Sequence, residues 1–234
     1  MITLRRSKER GHANIGWLDS YFSFSFASYY DPKHMGFRSL RVINDDRIEA
    51  AQGFGPHAHR DMEIITYMVE GQLRHRDSMG EQHVLGPNEV QTMSAGTGIV
   101  HSEFNASPVE QSHSIQIWIE PSVEDVKPRY QQIAFDPKEK HGRLKLLATP
   151  SPVPGATTIH QDALLYVSEL TPGERVEHTL APNRHAWIQV VSGDVVLNEQ
   201  ELHEGDGAAV SEESSLAFSG AGSVGGEFLL FDLA

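Results

Sequence analysis

Gly55-Pro-His57-Ala-His59-Arg-Asp-Met-Glu63-Ile-Ile-Thr-Tyr-Met-Val-Glu70-Gly71 is the stretch on which the reading of this chain turns. Its second half is rich in β-branched and aromatic residues and stops at a glycine, which predicts a strand closed by a turn. On an extended backbone residues i and i+2 share a face, so His57, His59, Asp61 and Glu63 line up on one side. Two imidazoles about 7 Å apart along a strand can converge on one ion. Taken alone, a His-x-His pair is more often two surface or hydrogen-bonded histidines than a pair of ligands.

A second stretch changes that weighting: Ser94-Ala-Gly96-Thr-Gly98-Ile-Val-His101-Ser-Glu103-Phe-Asn105. His101 and Glu103 again share a face, and the glycines before them make a tight turn able to lay this strand beside the first. Three imidazoles and one carboxylate on neighbouring antiparallel strands form a site for one divalent transition metal with coordination positions left open.

Outward from these two stretches the pattern stays strand-like. Phe22, Phe24 and Phe26 alternate with serines, a stripe read as core before substrate pocket. Leu40 to Ile43, Ser114 to Ile119, Ala163 to Val167, Ala186 to Val191 and Phe228 to Leu233 read as further strands, and no stretch sustains a helical period. Gly and Pro together number 32, 20 and 12, spread along 234 residues, which favours many short strands. A weak repeat links Tyr67–Gly71 and Leu85–Ser94 to Ile188–Gly193 and Glu204–Ser211. Its marker glycines are 15 residues apart in the first copy (Gly71, Gly86) and 12 in the second (Gly193, Gly205), a spacing difference that a loop absorbs. The proline-rich span from Pro121 to Pro154 holds the boundary, dividing the chain into 1–135 and 136–234. Aligning the repeats puts Thr179 and Ala181 where His57 and His59 stand and Gly220 near His101, so the second module is expected to be metal-free.

Charge and cysteine content exclude other classes. The formal charge is −13, from 19 basic and 32 acidic residues, and an acidic surface repels nucleic acid. The absence of cysteine removes disulfides, thiolate nucleophiles and iron–sulfur clusters. No run approaches the ~18 apolar residues of a membrane span, and the start lacks the apolar core of a signal peptide. The expectation is a cytoplasmic monomer with no membrane or nucleic-acid partner.

The pattern His57-x-His59-x-x-x-Glu63 resembles the first cupin motif, and Gly98-x-x-His101-x-x-x-Asn105 the end of the second. Ala95-Gly-x-Gly-Ile-x-His-Ser-Glu103 resembles the pirin signature. Gly16–Ser20, Phe24–Ala27, Tyr30–Pro32, Met35–Phe37 and Arg41–Asp46 are similar to the bacterial pirin-like quercetin 2,3-dioxygenases. The resemblance implies an all-β fold of two tandem cupin (jelly-roll β-sandwich) domains with few short helices. It implies a metal held by His57, His59, His101 and Glu103. Glu63, the carboxylate that cupins at large use, would then orient a histidine. Fe(II) comes first, with Zn, Co, Ni, Mn and Cu as alternatives. The implied partners are a flavonol-like small molecule and dioxygen, which adds across the heterocycle and opens it with loss of carbon monoxide, Glu103 taking the hydroxyl proton. Two other functions stay open: a non-enzymatic, iron-dependent co-regulator, and a cupin enzyme acting on another oxo or enol compound. The remaining histidines are read as non-ligands, with His12 and His34 the nearest to the mouth of the site.

Overall fold

The computed structural model describes all 234 residues. It is built of antiparallel strands, with single-turn 3-10 helices at Ser7–Glu9 and Pro137–Glu139. Helices are rare because glycine, proline and alternating apolar residues recur too often for a 3.6-residue stripe to develop. No helix is long and apolar enough to cross a membrane.

The chain divides into two compact units. One contains Gly11–Phe135 and Ser151–Gln161; the other contains Met1–Arg10, Asp136–Pro150 and Asp162–Ala234. The first unit has a seven-stranded sheet in the order Arg129–Ala134, Glu89–Ser94, Glu63–Glu70, Ser112–Ile119, Leu40–Ile48, Leu18–Phe22, Gly11–Asn14. Its second sheet has four strands, in the order Gly53–His59, Ile99–Asn105, Leu73–Asp77, Gln82–Leu85. Apolar residues from both sheets meet in small clusters. Ile48, Met68, Leu73 and Leu85 form one, and Ile64, Met93, Ala95 and Ile99 another. Thr66, His75, Gln91 and Glu103 are buried in the same unit.

Two glycines set the approach of the two histidine-bearing strands. A Cβ on Gly53 would lie 2.2 Å from the Glu103 carbonyl oxygen, so only glycine lets these backbones come so close. Gly96 begins the turn into Ile99–Asn105 at φ +44°, a left-handed conformation closed to proline, and a Cβ would collide with the Val126 carbonyl. The pairing then sets His101 opposite His57 and Ile99 opposite His59. It shifts between His101 and Glu103, because Glu103 faces Phe54. Two steps on one strand thus oppose three on the other, a bulge at Gly55-Pro56. Proline suits this place because a bulge leaves one N–H out of the ladder.

In the other unit the strands Ile2–Arg5, Gly207–Val210, His185–Leu197, Gly226–Leu233, Ala163–Leu170 and Lys145–Thr149 are neighbours in that order. Arg175–Thr179 pairs with Ser215–Gly220 and sets His178 opposite Leu216. Leu180, Leu216, Phe218 and Phe228 are buried there in an apolar core. His178 Nε2 is 2.8 Å from Asp232 Oδ2.

Candidate metal centre

The paired strands bring His57, His59 and His101 together. Their ring centroids are 4.4–4.8 Å apart, and one nitrogen from each lies within 4.8 Å of the others. The tautomers follow from the other ring nitrogens. His57 Nδ1 is 2.8 Å from the Gly55 carbonyl, which can only accept, so the proton sits on Nδ1 and Nε2 keeps a lone pair. His101 Nδ1 faces His75 Nδ1 at 3.5 Å, while its Nε2 is buried with no hydrogen-bond partner. A buried unpaired nitrogen is costly, and a cation is the partner that three converging lone pairs suit.

Electrostatics point the same way. Burial, then the neighbouring His57, pulls the His59 pKa down to about 4. Burial, then His57, His59 and His75, pulls that of His101 to about 2. Both rings are therefore neutral at pH 7 and need not lose a proton to bind a metal.

Glu103 is fully enclosed, and burial, then the charge of Asp46, pushes its pKa up to about 7. Two amides grip its carboxylate: Gln91 Nε2 donates to Oε1 at 3.4 Å and Gln116 Nε2 to Oε2 at 2.9 Å. Its oxygen clusters with ligand nitrogens of His101 and His75, whereas His57 and His59 belong to the other group around His101. His101 thus stands between the paired imidazoles and the carboxylate. Glu63 lies elsewhere: Ser94 Oγ donates to its Oε2 at 2.8 Å, and His160 Nδ1 is 3.1 Å from its Oε1. Ile64, the next residue, lines the cavity in its place.

That cavity has a volume of about 160 Å³. Its floor is His57, His59, His101 and Glu103, and Phe26, Phe54 and Trp118 form aromatic walls. Trp118 stands edge-on to His59 with centroids 4.9 Å apart, and to Phe26 at 5.3 Å. Phe26 departs from the expected core stripe because the strand ends at Phe22; Ala27 then turns at φ +49°. Phe22 and Phe24 do enter the core. His12 pairs with Asp19 and stacks on Tyr21, and neither it nor His34 lines the cavity.

Sequence reasoning passed over His75. It is completely buried, and its Nε2 is 3.0 Å from Asp77 Oδ2. A carboxylate acceptor places the proton on Nε2, so His75 Nδ1 is an acceptor facing His101 Nδ1. The relay Asp77–His75–His101 thereby favours a proton on His101 Nδ1 and a bare Nε2. The available signal was Leu73-x-His75-x-Asp77, in which both polar residues share the face of a buried leucine. Asn44 and Asp46, also on the cavity wall, carried no signal of their own.

Comparison with known proteins places this geometry. Residues 3–119 match the family model described as Pirin, and residues 146–233 match the quercetinase C-terminal cupin domain. The chain is 49% identical over 233 residues to quercetin 2,3-dioxygenase of Escherichia coli K12, spanning 100% of this chain and 99% of that protein. The crystal structure of the E. coli bacterial pirin YhhW in complex with nickel(II) superposes with a TM-score of 0.93 at 48% identity, covering 100% of this chain and 99% of that one. A quercetin 2,3-dioxygenase from Acinetobacter baumannii, at 21% identity and TM-score 0.78 over 98% of this chain and 85% of its own, shares the fold. Half its residues identical to a curated relative along the full length, and matched by the family model from residue 3 to 119, this chain belongs to the pirin family.

Proposed function

We propose that this protein is a metal-dependent dioxygenase that opens the heterocycle of quercetin-type flavonols with dioxygen and releases carbon monoxide. The observation that carries the reading is the convergence of His57, His59 and His101, the last with a buried, unpartnered Nε2, at the floor of an aromatic-walled cavity. The names of the full-length E. coli relative and of its nickel complex support it. His57, His59, His101 and Glu103 would hold the ion, with Fe(II) the first candidate and Zn, Co, Ni, Mn or Cu able to replace it. When bound, a divalent ion supplies Lewis acidity that lowers the pKa of a hydroxyl group at its open position.

The protein's own groups supply the rest. Phe26, Phe54 and Trp118 offer flat apolar surfaces to a planar ring system and exclude water around it. Glu103, poised near pH 7 and held by Gln91 and Gln116, accepts the proton of the flavonol 3-hydroxyl. The amides keep the carboxylate aimed while it exchanges that proton. The test follows quercetin absorbance in air and under nitrogen with Fe(II)-reconstituted protein. Loss of absorbance only in air, abolished by His101→Ala, supports the proposal. Stoichiometric metal with no turnover of any flavonol refutes it.

A further inference from the structure

The inner face of the seven-stranded sheet carries a row of polar side chains in register: Gln91, Thr66, Gln116 and Asn44, on four adjacent strands. Three have partners in the protein. Gln91 and Gln116 donate to Glu103, and Thr66 Oγ1 donates to Gln116 Oε1 at 3.0 Å. Asn44, at the end of the row, has none for its Oδ1, although the residue is only 4% exposed and lines the cavity with the histidines. Two positions along the same strand, and so on the same face, Asp46 lines the cavity too. Its Oδ1 accepts from Ser20 Oγ.

Buried acceptors without donors are rare, and each calls for a partner. The Asn44 oxygen adjoins aromatic walls suited to a flat ligand. We propose that Asn44 forms a hydroxyl-reading edge of the pocket. Its Oδ1 accepts a hydrogen bond from a phenolic hydroxyl of the substrate other than the enol that faces the histidines. The ligand class is a planar aromatic enol bearing further hydroxyl donors. A bare ring in the same place would leave Asn44 Oδ1 buried and unpaired, which is how a polar site rejects an analogue lacking its hydroxyl. This inference rests on the flavonol reading and specifies which flavonols the pocket takes.

The experiment uses full-length protein loaded with redox-inert Zn(II), so that binding is not followed by turnover. Kd is measured by tryptophan fluorescence quenching for quercetin and for 3-hydroxyflavone, which keeps the enol and lacks the other hydroxyls. Wild type is expected to prefer quercetin by at least about tenfold. Asn44→Leu is expected to erase most of that preference, while zinc content and Tm report that the fold and the metal centre persist. Equal binding of the two compounds by wild type overturns the inference, and so does a preference that survives the substitution. If wild type binds neither compound, the flavonol reading itself falls and takes this inference with it, an outcome distinct from equal binding.

Discussion

Replacing Asp77 by Asn keeps every heavy-atom position of the side chain yet should cost the protein much of its metal affinity. Asp77 Oδ1 accepts two backbone N–H groups, from Met79 at 2.8 Å and Glu81 at 3.2 Å, and Oδ2 faces His75 Nε2 at 3.0 Å. An asparagine must keep its oxygen where those two N–H groups point, so its NH₂ turns to His75 Nε2. That nitrogen must then accept, and the ring proton moves to Nδ1, where it faces His101 Nδ1. His101 is pushed towards carrying its own proton on Nε2, the atom that must be bare if it is to bind the metal as proposed. Disturbing such an outer partner of a ligand histidine typically costs 10–100-fold in metal affinity, or about 1.4–2.8 kcal/mol. Competition between the protein and a chromophoric chelator for Ni(II) measures the loss, with thermal unfolding of the metal-free proteins as control. A Ni(II) affinity within twofold of wild type would refute the relay. A fall in affinity matched by an equal fall in metal-free stability would assign the effect to packing instead.

Glu103→Gln should weaken Ni(II) binding more than Glu63→Gln, whose carboxylate is engaged by Ser94 and His160; equilibrium dialysis of both variants decides, and the reverse order would make Glu63 the ligand. On the proposed ligand set Glu103 would bind the metal ionised, and burial raises its pKa to about 7, so Ni(II) affinity should climb by up to about tenfold per pH unit from pH 5.5 and level off above 7. The Glu103→Gln protein should lose that part of the slope, and identical slopes in the two proteins would rule Glu103 out as its source. Asp46, raised from 3.8 to about 7 by burial, stabilises the metal-free fold while protonated, fully below pH 3.8 and progressively less as pH rises through 7. Asp46→Asn should therefore gain stability over wild type at pH 8 and little at pH 4 in urea denaturation; an equal gain at both pH values would contradict this. His101→Ala should remove most of the bound metal, as read by elemental analysis.

The all-β architecture and the three histidines were readable because they rest on local rules. Alternation fixes which side chains share a face, and glycine turns fix where a strand reverses, so His57, His59 and His101 needed only one antiparallel pairing to meet. Glu63 illustrates where the same parity misleads. It was counted in phase with the histidines, but Arg60 and Asp61 break the extended run and Asp61 turns at φ +45°, so the phase does not carry across. His75 was missed for a different reason. Its significance depends on the strand Leu73–Asp77 lying against Ile99–Asn105, a non-local pairing that alternation within either strand does not encode. Asn44 was hidden similarly: a buried amide reads as an ordinary core residue until its lack of a partner is seen.

The strand Ile2–Arg5 pairs with Gly207–Val210, Ile2 facing Val210. A ribosome adding roughly 5–20 residues per second delivers that partner about 10–40 s after the first strand is made. During this interval the strand Ile2–Arg5 waits without that partner. Its sequence Ile-Thr-Leu-Arg leads directly into Arg6, Lys8 and Arg10, and such charges discourage edge-to-edge association. The sheet of this unit therefore cannot close while the chain between the two strands is still being made, and its folding must wait for synthesis to reach Val210.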